Sequence, residues 1–98
     1  HVNPAVIDAL TRNGYIPVIS SVAVGADGQA YNVNADTAAA ALAVALHAEK
    51  LILMTDVEGL YRDFSDKESL VSEITADQAR AWIADGIVDK GMIPKLEA

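Results

Sequence analysis

Val6, Ile7 and Leu10 recur at the spacing of one helical face, with Asn3 and Pro4 ahead of them and Gly14 behind. This predicts a helix with Asn3 as its cap, Pro4 at the first helical position, where the missing N–H costs nothing, and Gly14 closing the far end. Residues 15–24, YIPVISSVAV, read as a strand. GADG at 25–28 has turn chemistry, and QAYNVN at 29–34 returns in alternation as a second short strand. From 36 to 48 the chain is apolar almost all round, which predicts a helix covered on more than one side. KLILMT, residues 50–55, is a short continuous apolar run of the kind found inside a parallel sheet with helices on both faces.

That run ends in DVEGLY, residues 56–61, and RDFSDKES after it is a polar loop. LVSEI, residues 70–74, reads as a short edge strand. TADQARAWIAD is a helix with Thr75 as cap and Gly86 just past its end, and GIVDKGMIPKLEA is a loop leading into a further helix near Pro94. Helix, strand, hairpin, helix, strand, helix is the order of a layered α/β domain. In open parallel sheets ligands sit beyond the carboxyl ends of strands, and NVNAD and TDVEGLY fall there.

Composition narrows the partners. The chain has 98 residues, 52% hydrophobic and 21% charged, which is enough for at most one globular domain. It opens on His1, and GMIPKLEA stops inside a helix-forming run with no glycine or asparagine to close it, so a piece of a longer protein is expected. Fourteen acidic against seven basic residues give a net charge of −7, a field that repels phosphate backbones and anionic lipid headgroups. Neither nucleic acid nor a membrane surface is an expected partner. Without cysteine there is no disulfide or thiolate metal site, which suits the cytoplasm. The longest apolar run, around 38–46, falls far short of the ~20 residues of a membrane span.

Asn32, Asn34 and Asp36 place three polar side chains at alternate positions ahead of an apolar helix. The spacing matches the opening of a calcium loop, but Thr37 stands where its glycine is required and Ala43 where its bidentate glutamate is required, so that site is rejected. No G-x-G-x-x-G and no Walker lysine loop is present. Capping explains one of the three, at roughly 1 kcal/mol, and a ligand site explains all three; the chemistry alone leaves both open. TDVEGLY either reverses the chain or lines a site, and Lys95 by itself reads as a solvated lysine. His1 and His47 are too isolated to hold a metal.

Taken together, NVNADTAAAALAVALHAEKLILMTDVEGLY and GIVDKGMIPKLEA resemble the amino acid kinase family over essentially the whole chain. The run from ADTAAAA to DVEGLY is shared in outline across that family, whereas NVNAD with GMIPK points to the branch acting on N-acetyl-L-glutamate in arginine biosynthesis. The resemblance implies a layered α/β/α sandwich with a mainly parallel sheet, incomplete here: most of the nucleotide-binding half and the edge of the substrate site. It implies ATP with Mg2+ as co-substrate, the metal held mainly by the nucleotide, and phosphorylation of the γ-carboxylate.

Residue by residue, the resemblance gives Asn32 a contact to acetylglutamate with Asn34 beside it, and makes Asp36 the aspartate that orients catalytic lysines. Asp56, Val57, Glu58, Gly59, Leu60 and Tyr61 match the nucleotide-binding loop, and Ile87, Val88 and Asp89 match the segment bordering adenine and ribose. Lys95 matches the lysine that stabilises the transferring phosphoryl group. The family's glycine-rich phosphate loop and second catalytic lysine precede this region, so activity is expected of the parent and not of these residues alone. The parent is expected to be a homo-oligomer; arginine feedback and a PII-type regulator depend in the family on surfaces outside these residues. Two alternatives stand: another small-acid kinase such as glutamate 5-kinase, and a non-catalytic nucleotide-binding module.

Overall fold

The computed structural model describes residues 1–98 as helices with one small sheet, in two units: His1–Ile52 together with Ala98, and Leu53–Glu97. In the first unit, helix α1 spans Ala5–Arg12. Asn3 Oδ1 accepts from the Ala5 N–H at 3.1 Å, and Pro4 is already in the right-handed helical region, at φ −76° and ψ −11°. Strand β1, Val22–Val24, pairs antiparallel with β2, Ala30–Asn32, in the register Val22 to Asn32, Ala23 to Tyr31, Val24 to Ala30. The turn between them is set by two glycines. Gly28 takes φ +77°, and a Cβ on Gly25 would stand 2.5 Å from the Tyr31 ring. That ring is fixed at its far end, where the Tyr31 hydroxyl donates to Asp27 Oδ2 at 2.6 Å. Helix α2 follows over Ala35–Ala45.

In the second unit, Tyr61 and Leu70 form an isolated antiparallel bridge around a loop that contains a 3-10 turn at Lys67–Ser69. Helix α3, Ala76–Ala84, starts in a reciprocal capping box: Thr75 Oγ1 accepts from the Gln78 N–H at 3.3 Å, and Gln78 Oε1 accepts from the Thr75 N–H at 3.0 Å. Helix α4, Ile93–Glu97, is a short final turn. The best-buried apolar side chains, Tyr61, Ala79 and Val88, all belong to this unit.

Helices α1, α2 and α3 end in the same way. The N–H two residues past the last capping position bonds back five residues, Tyr15 to Leu10 at 3.0 Å, Ala48 to Ala43 at 2.9 Å and Ile87 to Trp82 at 3.0 Å. The residue before it closes a tighter bond, and this pair of bonds is the Schellman arrangement, which needs a left-handed residue at the turn. Gly14 at φ +81° and Gly86 at φ +70° serve α1 and α3, but α2 uses His47 at φ +51°.

The strands differ from the sequence reading. The strand expected over 15–24 is reduced to Val22–Val24, that over 70–74 to the bridge at Leu70, and 50–55 joins no ladder. The pairing that forms is the antiparallel hairpin expected around the turn at 25–28, and no parallel ladder forms among these residues. The reason is that a buried parallel strand takes hydrogen bonds from neighbours on both sides, and KLILMT finds none among these residues. Ile52 and Met54 are 80% and 94% exposed, Ile16 and Val18 are 90% and 96% exposed, and no residue of α2 is buried.

The unlike residue at the end of α2 yields a stability prediction. A non-glycine residue in the left-handed region costs roughly 1–2 kcal/mol, while glycine adds about 0.4–1 kcal/mol of unfolded-state entropy. His47→Gly should therefore stabilise the whole protein by about 0.5–1 kcal/mol, and His47→Val, β-branched at positive φ, should destabilise it. Equilibrium denaturation checks the order Gly above His above Val; a glycine variant less stable than the parent contradicts it.

Candidate functional site

A cleft of about 490 Å³ opens in the second unit, within the ~300–1,000 Å³ range of small-molecule sites. One wall comes from Thr55, Asp56, Val57, Gly59, Leu60, Tyr61 and Phe64, and the facing wall from Ile87, Asp89, Gly91, Met92 and Lys95.

The first wall is built on a glycine and a tyrosine. Gly59 has φ +157°, and a Cβ there would meet Leu70 Cδ1 at 3.2 Å. This close approach lets the Val71 N–H reach the Leu60 carbonyl at 2.8 Å and the Arg62 N–H reach the Ser69 carbonyl at 3.1 Å, closing the loop that carries Leu60 and Tyr61. Tyr61 is 7% exposed. Its hydroxyl donates to the Glu58 carboxylate, its ring meets Phe64 edge to face at 5.7 Å, and Lys67 Nζ lies 4.7 Å from its centroid. The Glu58 hydrogen bond holds the Tyr61 hydroxyl above the usual phenol pKa, because ionisation would lose it and set a phenolate against a carboxylate. At the start of the wall, Thr55 Oγ1 donates to Asp56 Oδ1 at 3.3 Å.

The second wall is delivered by the end of α3. Its Schellman turn at Gly86 sends Ile87 into the cleft, while Val88 turns inward to 7% exposure. Asp89 then organises the entry to α4: Oδ1 accepts from the Gly91 N–H at 2.9 Å, and its carbonyl accepts from Met92 at 2.9 Å and Ile93 at 3.2 Å. Gly91 is suited to this turn because a Cβ would lie 3.3 Å from Asp89 Oδ1. Lys95, half-buried, sits on the five-residue α4, which is too short to add a helix-terminus field, so its ammonium charge is what it offers an anion.

The first-unit trio separates by role. Asn34 is the cap of α2, its Oδ1 accepting from the Thr37 N–H at 3.0 Å and from Thr37 Oγ1 at 3.2 Å. Asp36 is therefore not needed as a cap; it lies half-buried in the first turn of α2. Asn32 is the exposed last residue of β2, opposite Val22.

Of the nucleotide residues read from the sequence, Asp56, Val57, Gly59, Leu60, Tyr61, Ile87 and Asp89 meet at one cleft with Lys95. Glu58 and Val88 are not among its lining residues: Glu58 anchors Tyr61 and Val88 packs inside. Sequence reasoning missed Phe64, which it left in a polar loop; Thr55 stood in the candidate segment TDVEGLY, and Gly91 and Met92 in the motif GMIPK, without roles of their own. Phe64 had a signal, as the lone aromatic in the polar run RDFSDKES.

Comparison with known proteins places this geometry in a family. The amino acid kinase family profile matches residues 1–98, and the chain belongs to that family. Its curated relatives include the acetylglutamate kinase of Symbiobacterium thermophilum, 52% identical over 98% of this chain and 33% of its own length. Those of Gloeobacter violaceus, at 55%, and Methanosarcina barkeri, at 52%, also match over 98% of this chain, and over 32% and 30% of their own. The crystal structure of smu.665 from Streptococcus mutans UA159 is similar with a TM-score of 0.87 and 39% identity over 99% of this chain and 38% of that one. The chain thus spans about a third of the length of the curated relatives it matches.

The Tyr61–Glu58 contact is testable by titration. A phenol with a raised folded pKa contributes stability in full below its unfolded value of 10.0 and loses it as pH climbs through the folded value. Tyrosinate absorbance of Glu58→Gln should show one phenol moving back down toward 10.0, while Tyr31, also raised, by its bond to Asp27, stays where it was. An unchanged titration curve contradicts the assignment.

Proposed function

We propose that the whole protein of which these residues are a part transfers the γ-phosphoryl group of ATP to the γ-carboxylate of N-acetyl-L-glutamate, giving N-acetylglutamyl phosphate and ADP in arginine biosynthesis. The observation that carries this reading is the identity of about half, over nearly the whole chain, to relatives named acetylglutamate kinase. In that protein residues 15–24 and 50–55 take their places in the mainly parallel sheet of an α/β/α sandwich, and their exposed apolar side chains support this. The 98 residues are then most of the nucleotide-binding half of one kinase domain with the edge of its substrate site. A biosynthetic kinase drawing on the cell's ATP belongs in the cytoplasm, and we take the parent to be a homo-oligomer.

The acceptor carboxylate is ionised at neutral pH, so no general base is needed. A carboxylate oxygen attacks the γ-phosphorus, the bond to the β-bridging oxygen breaks, and ADP leaves with that electron pair. What remains for the protein is positioning and charge neutralisation. Lys95 neutralises charge on the phosphoryl oxygens, and Asp36 orients the cations that do so. The amide groups of Asn32 and Asn34 donate to the substrate; because Asn34 already spends its oxygen on Thr37, its NH2 is the part that faces an acceptor. The cleft receives the nucleotide, with Glu58 and Val88 supporting its walls from behind. Magnesium would enter with the nucleotide, held mainly by the triphosphate and water.

ADP release by the whole protein should require N-acetyl-L-glutamate and be absent with aspartate. Equal turnover of free glutamate assigns it to glutamate 5-kinase instead, and nucleotide binding without turnover of any acid assigns it to a non-catalytic module. Lys95→Met should lower kcat by about 10²–10³ with modest change in KM, and Lys95→Arg should be impaired but measurable. A Met variant keeping more than about a tenth of kcat, a loss under ~1.4 kcal/mol, removes Lys95 from the mechanism. Asp36→Asn should cost at most about 0.3–1 kcal/mol of stability, since Asn34 keeps the cap, yet lower kcat sharply; an unaltered kcat makes Asp36 structural.

A further inference from the structure

Phe64 is 66% exposed, which by itself means little in a chain with many exposed apolar residues. It differs from the others in where it stands. Ile16, Val18, Ile52 and Met54 lie in the apolar runs whose side chains a packed layer would cover, whereas Phe64 lies in a turn that faces the cleft.

The turn is pinned on both sides of it. Asp63 Oδ1 accepts from the Ser65 N–H at 2.9 Å and the Ser65 hydroxyl at 2.7 Å. The Ser69 side chain ties both sides together, accepting from the Asp63 N–H at 3.0 Å and donating to the Asp63 and Asp66 carbonyls, each at 2.7 Å. The ring itself is held by Tyr61, edge to face at 83°, and by Lys67, whose Nζ lies 4.3 Å from the Phe64 centroid. An aromatic ring carried on a hydrogen-bonded turn and touching a second ring and a cation, yet still exposed at a cleft, is restrained before any ligand arrives. It offers a flat apolar face at low entropic cost.

We propose that Phe64 is a specificity-determining residue on whose ring the base of the nucleoside triphosphate stacks, and that Lys67 is the positioning residue that holds the ring through its ammonium. This rests on the reading of the cleft as the nucleotide site. A planar purine matches such a surface because every base presents a π-face, and the ammonium draws electron density from the ring and so favours an electron-rich partner. The cost of losing an aromatic platform of this kind corresponds to about 5- to 100-fold in affinity.

Calorimetric binding to the whole protein, with MgATP, MgCTP and inorganic tripolyphosphate as probes, tests this. Phe64→Leu should weaken MgATP about 5- to 100-fold, narrow the preference for ATP over CTP and leave tripolyphosphate unchanged. Phe64→Trp should preserve or tighten ATP binding. Lys67→Met, which keeps the stem and deletes the charge, should move ATP in the same direction as Phe64→Leu but by less, again without touching tripolyphosphate. ATP binding within twofold of the parent in Phe64→Leu overturns the stacking role while leaving the nucleotide site intact. If the parent itself binds neither ATP nor tripolyphosphate, the nucleotide site and the stacking role fall together.

Discussion

The burial of Tyr61 is the constraint on which the second unit depends. Removing a side chain of this size from water is worth about 1.5–3 kcal/mol, its edge-to-face contact with Phe64 about 0.5–1.5 and the Lys67 cation about 0.5–1. Beside a domain stability of about 5–15 kcal/mol those are large contributions from one residue. The same residue forms the bridge to Leu70 and a wall of the cleft. Fold and site are therefore not separable there: the hydrogen bond that satisfies a buried hydroxyl also fixes Glu58, and the turn that lets Tyr61 turn inward needs Gly59.

The first unit is held by different means. It contributes no side chain to the best-buried set, so its helices rest on caps and Schellman turns and its hairpin on the Asp27 and Tyr31 contact. Helices of eight and eleven residues are marginal on such local terms alone. Helix α2 is apolar almost all round and the apolar runs at 15–24 and 50–55 are bare, in a chain that spans about a third of the length of the curated relatives it matches.

Local chemistry was the legible part of this sequence. Asn3 with Pro4 and Gly14, and Thr75 with Gln78 and Gly86, mark helix ends because the atoms that satisfy those ends lie within a few residues. Strands were not legible to the same degree, since KLILMT has strand chemistry but a ladder needs a partner that its own residues do not specify. Asn34 and Asp36 are both competent caps, and only backbone geometry decides that Asn34 caps α2. His47 escaped notice as a helix stop because histidine is seldom left-handed. Phe64 escaped because a single aromatic in a polar run has no periodicity to register. The expectation that 56–61, 87–89 and Lys95 serve one nucleotide came from family resemblance, as the spacing along the chain carries no such contact.

A crystal structure of the whole protein with a non-hydrolysable ATP analogue and N-acetyl-L-glutamate tests the central claim most directly. The adenine is expected in the cleft lined by Leu60, Tyr61, Phe64 and Ile87, stacked on the Phe64 ring, with the Lys95 ammonium within hydrogen-bond reach of the triphosphate oxygens. A nucleotide bound elsewhere, or a Lys95 turned away from its phosphates, would contradict it.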